Sequence, residues 1–331
     1  MSPTRRALLA TGAALALGRP ALALAAAKVV VIGGGFGGAT AARALHAGGL
    51  DVTLVEVNPT YVACPFSNEV IAGLQPMAAQ RFGYRGLARA DLRVVHAAAT
   101  GIDADARRVT LADGTALFYD RLVLSPGIDL RFDAIPGYDA AAAERMPHAW
   151  KAGEQTLLLA RQLAAMPEGG TVVLSVPGNP YRCPPGPYER ASLIAHVLKT
   201  TKPRAKLILL DAKDTFSKQR LFQSAWKALY PTQLEYVPLA EGGQVSAVDP
   251  DAMIVRTDFS EYKADVACII PPQRAGRIAA VAGVADRSGW CPIDPVTFES
   301  RLVPGIHVIG DAAIAGAMPK SAFAANAQAK V

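Results

Sequence analysis

The sequence has 331 residues, of which 51% are hydrophobic, and a formal net charge of +6. This length and apolar content suffice for a large core in two or more domains, and they exclude a disordered chain. Three arginines in residues 1–27 account for half of the net charge, so the remainder gives no indication of nucleic-acid binding.

Residues 1–27 have the features of an export signal. A twin arginine (Arg5 and Arg6) precedes an apolar stretch over residues 7–17 and small residues over 21–27. The apolar stretch is shorter than the roughly 20 residues that a membrane-spanning helix needs. Its mild hydrophobicity favours the twin-arginine route, which moves folded proteins; an ordinary signal peptide is the alternative. We therefore expect a periplasmic protein that acquires its cofactor before export and has no membrane insertion.

The first predicted unit is a dinucleotide-binding βαβ motif. A buried strand is predicted over residues 28–32, a helix over 39–47 and a second strand over 51–56. Between the first strand and the helix, three glycines form the pattern G-x-G-x-x-G: Gly33, Gly35 and Gly38. The first allows a tight turn, the second lets the backbone approach a pyrophosphate, and the third lets the helix pack close to the strand.

Three later positions bear on which dinucleotide binds. Glu56 ends the second strand 18 residues after the last glycine and can accept hydrogen bonds from an adenosine ribose. This unit alone leaves FAD and NAD both possible. Two later strands, one ending in Pro126-Gly127 and one in Gly310-Asp311, favour FAD. The late Gly-Asp pair is typical of flavoproteins with two dinucleotide-binding domains, in which the Asp binds a flavin hydroxyl.

The loop after a second buried strand, over residues 171–176, does not carry another glycine triad. It contains Cys183 flanked by three prolines: Pro184, Pro185 and Pro187. Proline lacks the N–H group that a pyrophosphate needs. We therefore predict that the chain binds no NAD(P) and that electrons enter from another reductant. A cysteine here suits thiol–disulfide chemistry, and a buried packing cysteine is the alternative.

These motifs together resemble the flavoprotein subunit of flavocytochrome c sulfide dehydrogenase, with sulfide:quinone oxidoreductase as a wider relative. The resemblance covers residues 28–331 and includes the stretches YVACPFSNEVIAG, MPHAWKAGEQ, YRCPPGPYERAS, DTFSKQ, IPPQRAG, GWCPID and GIHVIGDA. It implies an α/β fold with two Rossmann-like domains of the disulfide-reductase type. The FAD domain would be discontinuous, over residues 28–136 and 278–331, and the second domain would lie between them, over 137–277.

The resemblance also implies roles for two cysteines. Cys64 matches the cysteine that is attached to the flavin as a thioether, and Cys183 matches one half of a redox-active disulfide. Cys64 lies eight residues after Glu56, in a loop past which an extended FAD would run. A free loop cysteine or a structural disulfide is the alternative for Cys64. The family uses sulfide as electron donor and a diheme c-type cytochrome subunit as acceptor, in a heterodimer.

Two charged residues are further candidates. Glu189 could act as an acid or base near the disulfide, although a helix N-terminal Glu that interacts with the helix dipole is the favoured interpretation. Lys320 matches a position near the flavin pyrimidine, where a cation would stabilise the reduced anionic flavin; a plain first-turn lysine is the alternative. The histidines and cysteines show no metal-ligand spacing.

The sequence departs from the family at its end. Family members continue into a third segment that supplies the second redox cysteine, so we interpret the sequence as truncated. Among the remaining cysteines, Cys268 is predicted to be core, and Cys291 could substitute as the partner of Cys183. Two other functions stay open: a sulfide:quinone oxidoreductase, and a non-catalytic flavoprotein that only transfers electrons.

Overall fold

The computed structural model describes residues 26–331, so the predicted export signal lies almost entirely outside the described residues. The helices are α1 (Phe36–Ala47), α2 (Ser67–Ile71), α3 (Arg85–Ala88), α4 (Glu154–Ala165), α5 (Gly186–Thr201), α6 (Gln219–Leu229), α7 (Ile278–Val281) and α8 (Ala322–Gln328). The strands are β1 (Lys28–Ile32), β2 (Asp51–Val55), β3 (Thr60–Val62), β4 (Arg81–Gly83), β5 (Arg93–Val95), β6 (Ala99–Asp103), β7 (Arg108–Leu111), β8 (Ala116–Phe118), β9 (Arg121–Leu124), β10 (Ile128–Leu130), β11 (Thr171–Val176), β12 (Lys206–Asp211), β13 (Leu234–Val237), β14 (Val245–Asp249), β15 (Ile254–Thr257), β16 (Glu261–Lys263), β17 (Val266–Ile269), β18 (Gln273–Ala275), β19 (Cys291–Pro292), β20 (Ile306–Val308) and β21 (Ala313–Ile314).

The first sheet is parallel throughout and has the strand order β20-β9-β1-β2-β5. Its central strands are almost entirely buried because they are runs of Val, Ile and Leu that are covered on both faces. Strand β20 comes from the C-terminal part of the sequence and pairs with β9, so two distant stretches of chain build this sheet. The predicted α/β class with two Rossmann-like domains is confirmed, whereas the domain boundaries stay predictions.

The second sheet is also parallel, with the strand order β13-β12-β11-β17. Its strand β11 coincides with the buried strand predicted over residues 171–176. Cys268 lies in β17 and is fully buried, as its apolar neighbours predict. Four small antiparallel sheets (β3-β4, β6-β7-β8, β10-β18 and β14-β15-β16) and one two-stranded parallel sheet (β19-β21) complete the described fold.

The start of α5 and the end of α8 follow from local hydrogen bonding. Helix α5 begins directly after the proline-rich loop, and Pro187 occupies its first turn, where a missing N–H group costs no hydrogen bond. Helix α8 ends at Gln328. The last amides, of Lys330 and Val331, bond to the carbonyls three residues earlier, which closes a tighter turn than an α-helix makes.

No helix among residues 26–331 is long and apolar enough to cross a bilayer.

The close approach of α1 to β1 gives a stability prediction. A Cβ atom at Gly38 would lie 1.8 Å from the carbonyl oxygen of Gly33, which is rigid backbone. We expect G38A to lower the free energy of unfolding by about 3 kcal/mol, measured by urea denaturation.

The matched control for this prediction is G86A. Gly86 lies in α3 with open space around it, so alanine there should leave the stability unchanged or raise it by up to about 1 kcal/mol. Equal urea midpoints for the two variants would contradict the proposed steric role of Gly38.

Candidate functional site

A cavity of about 1170 Å³ opens at the carboxyl ends of the strands of the first sheet and reaches the start of α5 in the second domain. In doubly wound folds this edge of the sheet is where dinucleotides bind. The cavity is lined by ten of the residues that the sequence singles out: Gly33, Gly35, Glu56, Cys64, Pro126, Gly127, Cys183, Glu189, Gly310 and Asp311. Two others, Gly38 and Lys320, do not line it.

The three glycines of the turn between β1 and α1 have different surroundings. Gly33 has φ +99°, and a Cβ atom there would lie 2.3 Å from the carbonyl oxygen of Ser125. Gly38 is buried against Gly33, as described above. Gly35 has no such neighbour, since its nearest contact would be the Tyr61 ring at 3.5 Å. The protein itself therefore requires glycine at the first and third positions, whereas the second leaves the backbone open to the cavity.

Glu56 follows β2 at the edge of the cavity. Its carboxylate accepts hydrogen bonds from the backbone N–H groups of Gly34 (2.7 Å) and Asn58 (2.9 Å). These two bonds fix the carboxylate beside the glycine turn. A carboxylate can accept about four hydrogen bonds, so acceptor capacity remains for a ribose hydroxyl.

The Gly310-Asp311 pair closes the other end of the cavity. Gly310 has φ +76°, and its N–H group donates to Gln328 Oε1 (2.7 Å). Asp311 Oδ1 is buried and has no hydrogen-bond partner within the protein. Burial raises the pKa of Asp311, while the charges of Arg182 and Lys320 oppose that shift. An orphaned buried acceptor is rare and indicates a ligand that donates to it.

The residues present fit an extended FAD molecule. The open backbone at Gly35 would hold the pyrophosphate, Glu56 the adenosine ribose, and Asp311 Oδ1 a ribityl hydroxyl. Pro126 and Gly127 line the cavity between these ends, and Gly127 has φ +62°. The sequence-based assignment of these positions to one ligand site is therefore consistent with the geometry.

Cys64 lies in the loop between β3 and α2, and its half-buried side chain lines the cavity. Its thiol is 3.7 Å from the main-chain carbonyl oxygen of Trp150. That same oxygen accepts a hydrogen bond from the guanidinium of Arg182, which also lines the cavity. Trp150 and Arg182 therefore connect the Cys64 loop to the Cys183 loop, although the sequence motifs did not single out either residue.

Cys183 has a strained backbone and a thiol in the cavity. Its φ is +58°, a left-handed conformation that non-glycine residues rarely adopt. Its N–H group donates to the carbonyl oxygen of Lys320 (2.7 Å). Burial raises the pKa of the Cys183 thiol to about 11, Glu189 adds to that rise, and Arg182 opposes it.

None of the four cysteines in the sequence forms a disulfide in this structure. Cys268 and Cys291 are both fully buried, and neither lines the cavity. Cys291, which the sequence allowed as a substitute partner of Cys183, lies in β19, and burial raises its pKa to about 12. The geometry thus gives Cys291 no route to the cavity.

Glu189 lies in the first turn of α5, as the helix-dipole interpretation expects, but its carboxylate also has a side-chain partner. Asn68 Nδ2 donates to Glu189 Oε2 (2.7 Å) and to the carbonyl oxygen of Gly186 (3.1 Å). Asn68 Oδ1 in turn accepts from Nε of Arg190 (2.9 Å). The one sequence signal for Asn68 is that it lies in the family stretch YVACPFSNEVIAG, four residues after Cys64.

Lys320, which the resemblance places near the flavin, is not among the residues that line the cavity. Its ammonium donates to the carbonyl oxygens of Asp311 (2.8 Å) and Ala313 (2.9 Å) and lies 3.8 Å from the centre of the Trp290 ring. These contacts hold the charge away from the cavity lining. Lys320 is also not a first-turn residue, because Ser321 caps α8 and the helix starts after it.

A buried ion pair and aromatic rings lie in the corresponding crevice of the second domain. Asp211 ends β12 and is fully buried, and it accepts from Nζ of Lys213 (2.6 Å) and from the hydroxyl of Tyr188 (2.7 Å). Lys213 also donates to the carbonyl oxygen of Pro177, directly after β11 (3.1 Å). The Tyr188 ring stacks on Phe216 with centroids 3.6 Å apart. An ion pair and stacked aromatic rings therefore lie at the carboxyl ends of β11 and β12, the edge at which doubly wound folds bind dinucleotides.

No group of three or more His, Cys, Asp or Glu side chains among residues 26–331 could hold a metal ion.

Comparison with known proteins agrees with these features. Residues 156–271 match the family model of the central region of the sulfide dehydrogenase [flavocytochrome c] flavoprotein chain, and residues 27–162 match that of the pyridine nucleotide-disulphide oxidoreductases. A sulfide dehydrogenase flavoprotein chain from Chlorobaculum thiosulfatiphilum is 53% identical over 45 residues, which are 13% of this chain and 94% of that sequence. An NADH dehydrogenase-like protein of Mycobacterium tuberculosis is 36% identical over 120 residues, 33% of this chain; the match spans only 29% of that relative's length.

Solved structures share the fold. The sulfide:quinone oxidoreductase of Aquifex aeolicus superposes with a TM-score of 0.75 at 22% identity, covering 92% of this chain and 75% of that chain. The water-forming NADH oxidase of Lactobacillus brevis, bound to NADH, gives a TM-score of 0.71 at 18% identity. The match covers 92% of this chain and 68% of that chain. Both belong to the two-dinucleotide-domain oxidoreductases, which confirms the fold class.

The burial of Lys320 gives a pH prediction. Burial lowers the pKa of Lys320 to about 8, below the value of about 10.4 in an unfolded chain. Between these values the unfolded state binds more protons than the folded state, so Lys320 makes the free energy of unfolding rise with pH. Substitution K320M should remove this rise, measured as urea midpoints across the same pH window.

The control for this prediction is K227M, which replaces an exposed lysine of α6. This variant should keep the pH slope of the wild-type protein. A wild-type slope in K320M would show that the buried ammonium does not titrate in that window.

Proposed function

We propose that this chain, which belongs to the family of flavoprotein chains of flavocytochrome c sulfide dehydrogenase, is an FAD-dependent oxidoreductase that takes electrons from sulfide. One observation carries the proposal: the thiols of Cys64 and Cys183 line the same cavity as the glycine turn and the orphaned oxygen of Asp311. A reactive sulfur and the flavin-binding groups therefore meet at one place.

FAD, when bound, supplies a group that accepts an electron pair and releases the electrons one at a time. The chain's own residues hold that group in the same cavity as the Cys183 sulfur. The glycine turn and Glu56 fix the nucleotide half, and Asp311 fixes the ribityl chain. Cys64, from its position on the cavity wall, would attach the flavin covalently as a thioether. Such a bond would keep the cofactor with an exported, periplasmic protein.

The sulfur chemistry would occur at Cys183. If Cys183 is joined to a second cysteine in a disulfide, as in the family, hydrosulfide would attack that S–S bond and form a persulfide on one cysteine. The other sulfur would leave as a thiolate that carries the electron pair. Glu189, held next to this site, would exchange the proton. In this proposal the second cysteine is neither Cys268 nor Cys291, because both are buried and neither lines the cavity.

The buried ion pair in the crevice of the second domain supports the prediction that NAD(P)H is not the donor. In NAD-binding domains the acid at the end of the second strand binds a ribose hydroxyl. Here Asp211 is paired with Lys213 and Tyr188, and Pro177 and its neighbours provide few N–H donors for phosphates. Opening this crevice would separate a buried ion pair, which costs several kcal/mol.

The electron acceptor would be a diheme c-type cytochrome subunit in a heterodimer, as in the family. A quinone is the alternative acceptor. A non-catalytic flavoprotein that only transfers electrons is a candidate of another class.

Anaerobic titration tests the donor. We expect sulfide to bleach the flavin absorbance, NADH to leave it unchanged, and C183S to abolish bleaching by sulfide while dithionite still reduces the flavin. The control C291S should react as the wild-type protein does, because Cys291 lies outside the cavity. Bleaching of C183S by sulfide at the wild-type rate would refute the role of Cys183.

Acid precipitation tests the covalent attachment. We expect the yellow colour to remain with the polypeptide of the wild-type protein and to appear in the supernatant for C64S, since only a thioether survives denaturation. Free flavin in the supernatant of the wild-type protein would refute the attachment through Cys64.

A further inference from the structure

A buried arginine and an asparagine lie between the two cysteine loops and have no part in the chemistry described so far. The Arg190 guanidinium is 1% exposed, and it donates to Asn68 Oδ1 (2.9 Å) and to the carbonyl oxygens of His148 (2.9 Å) and Ala149 (2.6 Å). Among residues 26–331 no carboxylate lies within ion-pair distance of it. A buried charge without a counterion is costly, so these contacts must hold it firmly.

Arg190 determines the orientation of the Asn68 amide. A guanidinium can only donate hydrogen bonds, so the atom of Asn68 that faces it must be the oxygen. The two hydrogens of the Asn68 amide then point the other way, one to Glu189 Oε2 and one to the carbonyl oxygen of Gly186. Exchanging the oxygen and nitrogen of the Asn68 amide would break all three of its hydrogen bonds.

Both acceptors of the Asn68 amide belong to the first turn of α5, which begins against the Cys183 sulfur. The Gly186 N–H group donates to the Cys183 carbonyl (2.8 Å), and a Cβ atom at Gly186 would lie 2.9 Å from Cys183 Sγ. The sulfur therefore packs against the residue whose carbonyl Asn68 holds. Glu189 lines the same wall of the cavity one turn further along α5.

We infer that Asn68, oriented by Arg190, is a positioning residue that fixes the Glu189 carboxylate beside the Cys183 sulfur. The inference rests on the proposed function, because it assigns the network to the sulfur chemistry at Cys183. Asn68 comes four residues after Cys64, so the same short loop carries the flavin-linking thiol and holds the carboxylate that acts on the reactive sulfur.

The Cys183 thiol reports on this arrangement even without turnover. The charged and titratable groups that act on it are Glu189, Arg182, Cys64 and Tyr181. Glu189 disfavours the thiolate, and the thiolate is the form that alkylating agents attack. The alkylation rate at a fixed alkaline pH therefore changes with the position of the Glu189 carboxylate.

The experiment measures alkylation of Cys183 by iodoacetamide in the reduced, flavin-loaded protein, followed by peptide mass mapping. We expect E189Q to accelerate alkylation by at least about threefold, which corresponds to half a pKa unit. N68A should change the rate by a similar factor. In the double variant N68A/E189Q, the asparagine substitution should have no further effect, because the residue through which it acts is absent.

The variant N68D covers the case in which N68A does not fold. Aspartate keeps the side-chain size and an acceptor for Arg190, but it has no N–H group for Glu189, so N68D should also alter the alkylation rate. Wild-type alkylation rates in both N68A and N68D would overturn the inference. So would an N68A effect that is as large in the E189Q background as in the wild-type protein.

The two proposals fail separately in this design. If sulfide does not bleach the wild-type flavin, the proposed function fails whatever the alkylation rates are. If sulfide bleaches the flavin but the Asn68 effect does not depend on Glu189, the proposed function stands and only the positioning role is lost. If both proposals hold, the pH profile of flavin bleaching by sulfide in N68A should shift toward that of E189Q.

Discussion

The burial of one guanidinium is the constraint on which the arrangement of the site depends. Arg190 lies in α5, and its partners lie in α2 and in the segment that carries Trp150, so three stretches of chain meet at one charge. Because water cannot reach it, each lost contact would leave a buried donor unsatisfied. The hydrogen bonds that the buried Arg190 requires therefore hold α2 and the Trp150 segment against α5, although Arg190 bonds to neither the Cys64 nor the Cys183 sulfur.

Residues whose role depends on backbone geometry could be predicted from the sequence. Gly33, Gly38 and Asp311 follow from the local order of strand, turn and helix, and the structure places them as that order requires. Side chains whose role depends on distant partners could not. The direction of the Lys320 ammonium is determined by two carbonyls and the Trp290 ring, and the orientation of Asn68 is determined by a residue 122 positions later.

The second domain has the architecture of a dinucleotide-binding domain. Its parallel sheet and the helix after β11 are those of a dinucleotide domain, and the fold resembles that of an oxidase solved with NADH. In this chain, prolines follow β11, and Lys213 donates to Asp211 at the end of β12. Since these groups satisfy one another, the crevice is stable without a ligand.

The hydrogen bond between the Cys183 amide and the Lys320 carbonyl has a consequence for biogenesis. It joins residues 137 positions apart, and β20, from the same late stretch, completes the first sheet. A ribosome-bound chain that lacks this stretch can form neither contact, so the left-handed loop around Cys183 reaches its final shape late in synthesis. The backbone of Cys183 therefore takes its described conformation only after residue 320 has been synthesised, when most of the scaffold around its sulfur is already present.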